Sequence, residues 1–364
     1  MLFGLRSSRS DHAEIRLLLI RFVLSLVSFA IITYVSKTYL GGDLGLDMLS
    51  SPEDREQRND ARITLARMAQ EFPKLRDMTL TSHELIAISS MVKPQIGFDA
   101  IGGHRDLKRE LLLHVIVPLQ RHDLFYGNKA LRPPVGILLE GDPGTGKTML
   151  AHAIAKEAGL PLLSIRPSMV EQKYLGESEK VVRAVFSAAK KLAPCIVFID
   201  EIDGIARNRS FMDGEANYSI KTELLQQLDS VGRNSDTPVL VIAATNFSRG
   251  LDKALYRRLP RTYNVPLPDE TSRMDILRKL TVNEARCPPK HIAAQSIGFS
   301  GSDLDSLYQL AASMRNEKLA AKFVASNQGA LSADTSGIKR ITNAQWENAL
   351  ARTRDAMQIR QPPS

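Results

Sequence analysis

A chain of 364 residues with 43% hydrophobic side chains is long enough for two or three domains and apolar enough for globular cores. Its 48 basic and 40 acidic residues give a mild formal net charge of +8, and no stripe of Lys and Arg with interleaved aromatic residues occurs. We therefore predict no nucleic-acid partner.

The N-terminal region contains an apolar stretch with the length of a membrane span. After a short tail, residues 1–16, the stretch 17–36 carries a single charge, Arg21. Twenty helical residues span about 30 Å, the thickness of a bilayer's hydrocarbon core. Near the ends of such a helix, Arg21 can extend to the headgroups, and Tyr34 suits the opposite interface. We predict a transmembrane helix that anchors the chain in a lipid bilayer.

Two other interpretations of this stretch stay open, a cleaved targeting segment and a buried core helix. A signal peptide has an apolar region of only about 7 to 15 residues and a small-residue cleavage site, which is not evident here. A mitochondrial presequence is poor in acidic residues, whereas Asp11 and Glu14 precede this stretch. The membrane anchor is the favoured interpretation.

Residues 37–97 are predicted to form a helical linker domain. The segment 41–43, Gly-Gly-Asp, breaks the first helix, and apolar positions recur in two later helical stretches, Leu65–Phe72 and Leu80–Val92. Between Thr38 and Ile96 there are nine acidic and seven basic residues, so the linker is close to neutral.

A glycine-rich motif follows an apolar run at 135–139 and precedes a helical pattern at 149–158. Strand, glycine-rich turn and helix are the context that a phosphate-binding loop requires. Backbone N–H groups in such a loop surround a phosphate, the lysine reaches the outer phosphates, and the hydroxyl after it ligates Mg²⁺. We therefore predict ATP and Mg²⁺ as cofactors, held by Gly141, Asp142, Pro143, Gly144, Thr145, Gly146, Lys147, Thr148 and Met149.

Strand and helix patterns alternate around this motif and then stop. The alternation predicts an α/β fold with a parallel sheet between helices, in a large subdomain of residues 98–266. After it, helical patterns at Arg273–Leu280, Ser302–Phe323 and Ala344–Met357 predict a small helical subdomain, residues 267–364.

Two further apolar strands end in polar residues. Asp200 and Glu201 follow the run 195–199; we expect Asp200 to hold Mg²⁺ with Thr148, and Glu201 to activate the attacking water. Asn246 follows the run 239–244 and can bond the γ-phosphate or the water. The second signal is weaker, because Thr-Asn after a strand is also common turn chemistry.

An arginine cluster, Arg257, Arg258 and Arg261, lies near the end of the large subdomain. It can be a solvated basic turn. It can also supply arginine fingers, Arg257 and Arg258, that neutralise charge on the ATP of a neighbouring subunit. The second interpretation requires an oligomer.

Together these motifs resemble the AAA+ ATPases of the meiotic clade, and in particular the thorase family of mitochondrial outer-membrane sorting ATPases. Three further stretches carry the resemblance: Ile101-Gly102-Gly103, Pro194-Cys195 and the segment 298–304. It implies an AAA+ module, a P-loop sheet sandwiched by helices with a small helical lid. It also places Ile101, Gly102, Gly301 and Ser302 around the adenine and the lid.

The resemblance implies a homohexamer that extracts mislocalised tail-anchored membrane proteins through a central pore. The family acts at the mitochondrial outer membrane and at peroxisomes as a single-pass protein with a cytosolic ATPase domain. Arg6, Arg9 and Arg16 instead favour a cytosolic N-terminus; we follow the family. A first pore loop would comprise Lys173, Tyr174, Leu175 and Gly176, with Tyr174 and Leu175 gripping the client, and a second would cover residues 207–215.

The chain departs from the family at two positions near the phosphates. Asp142 stands where the family usually has Pro, and Glu140 where it usually has an aromatic residue. We expect the Asp142 carboxylate to face away from the phosphates. Neither departure removes a catalytic group.

Three other functions agree less well with the sequence. A microtubule-severing ATPase needs a microtubule-interacting helical domain and a basic linker, and the short neutral linker here supplies neither. A membrane-bound AAA+ protease is excluded because no H-E-x-x-H motif occurs. A membrane scaffold gated by ATP binding alone has little support, since Glu201, Arg257 and Arg258 are all present.

Overall fold

The computed structural model describes residues 52–121, 135–165, 177–206, 215–233, 238–247, 250–282, 289–325 and 341–360. The predicted tail and transmembrane helix, residues 1–36, lie outside these ranges. Within them, no helix combines the length and apolarity that a bilayer crossing needs. The chain divides into two units, residues 1–63 and 64–364, and the described part of the first belongs to a helix.

The described part of the region predicted as a linker, residues 52–97, contains a long helix followed by shorter elements. These are α1 (Pro52–Glu71), a 3₁₀ turn (Pro73–Asp77), α2 (Ser82–Ser89) and strand β1 (Met91–Val92). A capping box begins α2: Thr81 accepts a bond from the backbone of Glu84, and Glu84 accepts one from the backbone of Thr81. The helix predicted over Leu80–Val92 ends earlier, because Met91 and Val92 are extended and pair with Leu163 and Leu162 in the sheet.

Helices and strands alternate through the large subdomain, as predicted. The helices are α3 (Arg105–Leu111), which continues through a π-helical turn (Leu112–Ile116) into α4 (Val117–Gln120), then α5 (Lys147–Ala158), α6 (Glu177–Leu192), α7 (Ile202–Ala206), α8 (Glu215–Arg233) and α9 (Lys253–Arg258). The strands are β2 (Gly136–Glu140), β3 (Leu162–Ile165), β4 (Cys195–Ile199), β5 (Val239–Thr245) and β6 (Arg261–Asn264).

The six strands form one sheet in the order β1-β3-β4-β5-β2-β6. Strands β2 to β6 are mutually parallel, which confirms the parallel sheet predicted for this region. Strand β1 is an addition that the sequence patterns did not predict. It pairs antiparallel with β3 through Met91 opposite Leu163 and Val92 opposite Leu162, so the sheet is mixed.

Both faces of the sheet are buried, and the alternation of side chains along the strands separates two hydrophobic cores. Leu138, Val197 and Val241 face the core that α6, α7 and α8 cover. Their neighbours Ile137, Ile196 and Ile242 face the core that α3, its π-helical turn and α5 cover. The carboxyl ends of the parallel strands therefore meet along one edge between two helical layers.

Residues after 269 form the helices α10 (Glu270–Leu280), α11 (Lys290–Gln295), α12 (Gly301–Ala325) and α13 (Asn343–Arg360). All three predicted helical segments of the small subdomain are present. Leu277, Ile292, Leu304 and Trp346 belong to a third core, distinct from those of the sheet. The hydrophobic cores are therefore three in the described residues, two on the faces of the sheet and one among the C-terminal helices.

The segment 64–97, part of the region predicted as a helical linker domain, packs onto the ATPase core. Met68, Leu75, Ile88 and Met91 are buried in the core beneath α6 and α8. Polar contacts also join this segment to the end of α6, and we call this cluster the Glu84 clasp. In it, Glu84 accepts hydrogen bonds from Ser187 and Lys191, and Lys74 donates to the carbonyl of Ala193.

Candidate nucleotide site

The glycine-rich loop connects the end of β2 to the start of α5, at the sheet edge where parallel strands end. Gly144 and Gly146 adopt φ angles of 78° and 95°, a left-handed conformation that glycine adopts without steric cost. A Cβ atom on Gly144 would lie 2.7 Å from Ser300 Oγ, and Ser302 N donates to Gly144 O at 3.2 Å. Positive φ angles at these glycines are typical of a phosphate-binding loop, and the start of α12 touches the loop.

Lys147 is buried in the first turn of α5, with its ammonium group inside the loop. Its Nζ donates to Gly141 O at 2.8 Å and to Asp142 O at 2.7 Å. Burial lowers the pKa of Lys147, although Asp200, Asp142 and Asp203 act in the opposite direction. A buried cation whose partners are neutral carbonyl groups gains from an anion in the loop.

Asp200 and Thr148 meet as the sequence predicts. Thr148 Oγ1 donates to Asp200 Oδ2 at 2.9 Å, and Glu201 N donates to Asp200 Oδ1 at 3.0 Å. Glu201 is exposed and has a left-handed φ of 49°, an uncommon conformation for a residue other than glycine. Mg²⁺ prefers oxygen ligands, and the Thr148 hydroxyl and the Asp200 carboxylate supply them beside the phosphate-binding loop. These two groups therefore fit this ion.

Strand β5 brings Asn246 to the same edge. Glu140 of β2 and Thr245 of β5 are partners in the sheet. The next residue of each strand, Gly141 and Asn246, therefore lies at the same edge. Thr245 Oγ1 donates to Asp203 Oδ1 at 3.0 Å and accepts from Phe247 N at 3.0 Å. These bonds fix the turn after β5, and Asn246 itself is exposed beside the loop.

The residues predicted around the adenine lie where the two subdomains touch. Ile101 and Gly102 are buried, and a Cβ on Gly102 would lie 2.6 Å from the Cα atom of Ile276 in α10. Gly103 N donates to Asp275 Oδ2 at 2.9 Å. Of the other predicted binding residues, Gly301 and Ser302 approach Gly144, Thr145 is buried, and Asp142, Pro143 and Met149 are exposed.

The structure gives the two predicted arginine fingers different surroundings. Arg258 is half-buried and lies within its own protomer, where Nη2 bonds Asp229 Oδ2 of α8 at 2.7 Å and Nη1 bonds Ala254 O at 3.0 Å. Arg257 is exposed, and the described residues include no hydrogen-bond or ion-pair partner for it. Arg257 is thus the better placed of the two to reach another subunit.

Sequence reasoning missed two contacts beside the loop. Tyr256 donates to Glu140 Oε1 at 3.0 Å, and burial together with this bond raises the pKa of Tyr256 to about 12. His104 hydrogen-bonds the backbone of Thr145, while burial lowers the pKa of the imidazole. Glu140 departs from the family pattern, but no local signal identifies a partner 116 positions away.

Both predicted pore loops fall outside the described residues. Lys173, Tyr174, Leu175 and Gly176 precede the first residue of α6, and all but the last position of the stretch 207–215 precedes α8. The helices that follow the two stretches, α6 and α8, are described.

Comparison with known proteins agrees with this geometry. Residues 137–267 match the ATPase family associated with various cellular activities (AAA). The chain is 41% identical over 223 residues to a spastin from Ixodes scapularis, covering 60% of this chain and 34% of that protein. The fold is similar to the crystal structure of the FIGL-1 AAA domain in complex with ADP, with a TM-score of 0.62, 32% identity, and 72% and 86% of the two chains covered.

A longer match is to an outer mitochondrial transmembrane helix translocase from Danio rerio. The two proteins are 38% identical over 264 residues. Since this similarity covers 71% of the chain and 73% of the relative, the protein is an ATPase of the AAA family and belongs to its outer mitochondrial transmembrane helix translocases.

Proposed function

We propose that the protein is a membrane-anchored homohexameric translocase. It extracts mislocalised tail-anchored proteins from the mitochondrial outer membrane, and from peroxisomes, by pulling them through a central pore. The observation that carries this proposal is the similarity to outer mitochondrial transmembrane helix translocases, which extends over 264 residues, beyond the region 137–267 common to AAA ATPases. The nucleotide site supplies the chemistry that such a function needs.

Each residue at the sheet edge has a role in hydrolysis under this proposal. Lys147 exchanges its two carbonyl partners for phosphate oxygens, because the anion neutralises its buried charge. Thr148 and Asp200 hold Mg²⁺, which neutralises phosphate charge when bound. Glu201 accepts the proton of the attacking water, and Asn246 orients that water or the γ-phosphate.

Assembly into a ring brings the exposed Arg257 to the neighbouring subunit's site. An arginine there stabilises charge that develops on the transferred phosphate, which couples hydrolysis to assembly. Tyr174 and Leu175 grip the client with apolar contact that tolerates many sequences. The helix predicted at 17–36 holds the ring at the membrane, with the ATPase domain in the cytosol.

Extraction of a tail-anchored protein from liposomes that carry the full chain tests the proposal. We expect ATP-dependent release by the wild type, and loss of release in Glu201→Gln, which removes the base, and in Tyr174→Ala, which removes the grip. Tyr174→Trp keeps an aromatic ring and should retain release. Release is measured as the client fraction recovered in the soluble phase. ATP hydrolysis by the wild type without release would contradict the translocase.

The alternative is a microtubule-severing ATPase, which the similarity to spastin raises. That match covers only 34% of the spastin, and the linker of this chain is nearly neutral. Severing of stabilised microtubules by the purified chain would favour this alternative. A scaffold gated by nucleotide binding would keep its function in Glu201→Gln, whereas a translocase would trap its client.

A further inference from the structure

Tyr256 ties the helix that carries the arginines to the strand that leads into the phosphate-binding loop. Its hydroxyl donates to Glu140 Oε1 at 3.0 Å, and Glu140 is the last residue of β2, directly before Gly141. With its pKa raised to about 12, the phenol stays protonated and remains a donor at physiological pH. The ring packs against the core beneath α6 and α8, so the hydroxyl is held in place.

Helix α9 has only six residues, and a helix this short has little stability of its own. Its direction therefore depends on contacts with its neighbours. At its N-terminus Asp252 caps the helix through Ala254 N at 2.9 Å and pairs with Lys221 of α8. At its C-terminus Arg258 pairs with Asp229, also on α8. Leu255 and Leu259 are buried in the core on this face of the sheet, and Tyr256 adds a side-chain hydrogen bond to β2.

Arg257 lies between Tyr256 and Arg258, whose side chains both bond residues of their own protomer. Successive residues of a helix point about 100° apart, so fixing these two side chains leaves Arg257 on the outer face, where it is exposed. We propose that Glu140 and Tyr256 are positioning residues that aim Arg257 at the nucleotide of the neighbouring subunit. This inference rests on the ring-shaped assembly proposed above.

Single variants separate positioning from nucleotide binding. In Tyr256→Phe, which loses only the hydroxyl, we expect kcat for ATP hydrolysis to fall roughly threefold to tenfold with KM within about twofold. Glu140→Leu should behave alike, whereas Glu140→Gln keeps an acceptor oxygen and should retain most of the rate. Tyr218→Phe, on the exposed side of α8, is the matched control. The proposal would be overturned if Tyr256→Phe raised KM at constant kcat, or if Glu140→Gln lost as much kcat as Glu140→Leu.

Mixed assemblies test whether the effect crosses between subunits. Wild-type subunits are mixed with Glu201→Gln subunits or with the double variant Glu201→Gln/Tyr256→Phe, and ATP hydrolysis per wild-type subunit is measured. We expect lower hydrolysis beside the double variant, because its Arg257 is misplaced for the intact neighbour. Equal hydrolysis in the two mixtures would mean that Tyr256 acts only within its own protomer, and the inference would be wrong.

A second double variant, Glu201→Gln/Arg257→Ala, shows which proposal fails. If it lowers the neighbour's hydrolysis while the Tyr256 double variant does not, only the positioning inference is overturned. If it also leaves hydrolysis unchanged, the arginine does not act across subunits, and the proposed assembly mechanism fails with it. Sedimentation with ATP confirms that all mixtures assemble.

Discussion

At the scale of single residues, Asp142 is the departure with a direct electrostatic consequence. It is exposed, and its backbone carbonyl accepts bonds from Lys147 and from Thr145 Oγ1. The side chain adds a negative charge to a loop that otherwise offers N–H groups and an ammonium. This charge disfavours the binding of phosphate, but water and salt screen the repulsion because the Asp142 side chain is exposed.

Replacement of Asp142 by Asn should therefore tighten nucleotide binding modestly. We expect the Kd for ADP to fall roughly twofold to threefold at low salt and to approach the wild-type value near 0.5 M salt, estimated from screening of an exposed charge. Titration with a fluorescent ADP analogue at both ionic strengths measures the effect. A change that persists at high salt would show that the side chain acts by contact rather than by charge.

Nucleotide-loop residues were predictable because their signal is local. The glycine-rich loop, its lysine and the hydroxyl after it lie within the eight consecutive residues 141–148, which follow a predicted strand and lead into a predicted helix. Asp200 and Asn246 each come at the end of an apolar strand pattern. The Glu140–Tyr256 and Arg258–Asp229 contacts join residues far apart in the chain. Only the packing of α9 against α8 and β2 brings these together, and no periodicity in the sequence records it.

At the scale of secondary-structure elements, the Glu84 clasp explains why the supposed linker is part of the ATPase core. Glu84 is buried and accepts bonds from Lys191 at 2.7 Å, Ser187 at 2.6 Å and Thr81 N at 2.8 Å. Sequence patterns predicted helices here but not their docking. Strand β1 was missed because two residues carry too little alternation, and its partner Leu163 lies 72 positions after Met91.

The clasp should make stability depend on pH in the acid range. Burial alone would raise the pKa of Glu84, but the bonds from Lys191, Ser187 and Thr81 prevail and lower it from 4.5 to about 2. The stabilisation is therefore fully present above about pH 4.5 and is lost as pH falls toward 2. In Glu84→Gln, the melting temperature should depend less on pH between 6 and 3.5 than in the wild type.

Glu84→Ala separates the clasp from general acid sensitivity. This change removes the side chain that accepts the bond from Thr81 N in the capping box, and it removes the ion pair of Lys191, so we expect the free energy of unfolding at pH 7 to fall by about 2 kcal/mol. Ser89→Ala, on the exposed side of α2, is the control. Parallel pH profiles for the wild type and Glu84→Gln would show that another carboxylate governs the acid range.

At the scale of the whole molecule, the small subdomain reaches the sheet through a few close contacts around the nucleotide site. Gly102 packs against the backbone of Ile276, Gly103 N bonds Asp275, and Ser302 N bonds the loop at Gly144. We expect nucleotide bound between these contacts to stabilise both sides of the site together, by an amount set by its concentration relative to Kd. The predicted subdomains 98–266 and 267–364 would then be coupled through a shared ligand.

Gly102→Ala should weaken this coupling. Its Cβ would lie 2.6 Å from the backbone of Ile276, so α10 has to move away from the sheet. We expect the rise in melting temperature at saturating ADP to shrink to less than about half of the wild-type rise, with the melting temperature without nucleotide changed far less. Thermal unfolding with and without ADP measures both. An unchanged ADP response would mean that the contact is not part of the nucleotide site.

Helix α6 has a mechanical consequence under the proposed function. Its first turn follows directly on the predicted pore loop, and its last turns hold the Glu84 clasp, through which the chain continues toward the predicted membrane anchor. A pull on a client is met by an equal and opposite pull on that anchor. We expect the pull to run along α6 from the pore loop to the clasp rather than through the phosphate-binding loop, so that pulling on the client need not deform the nucleotide site.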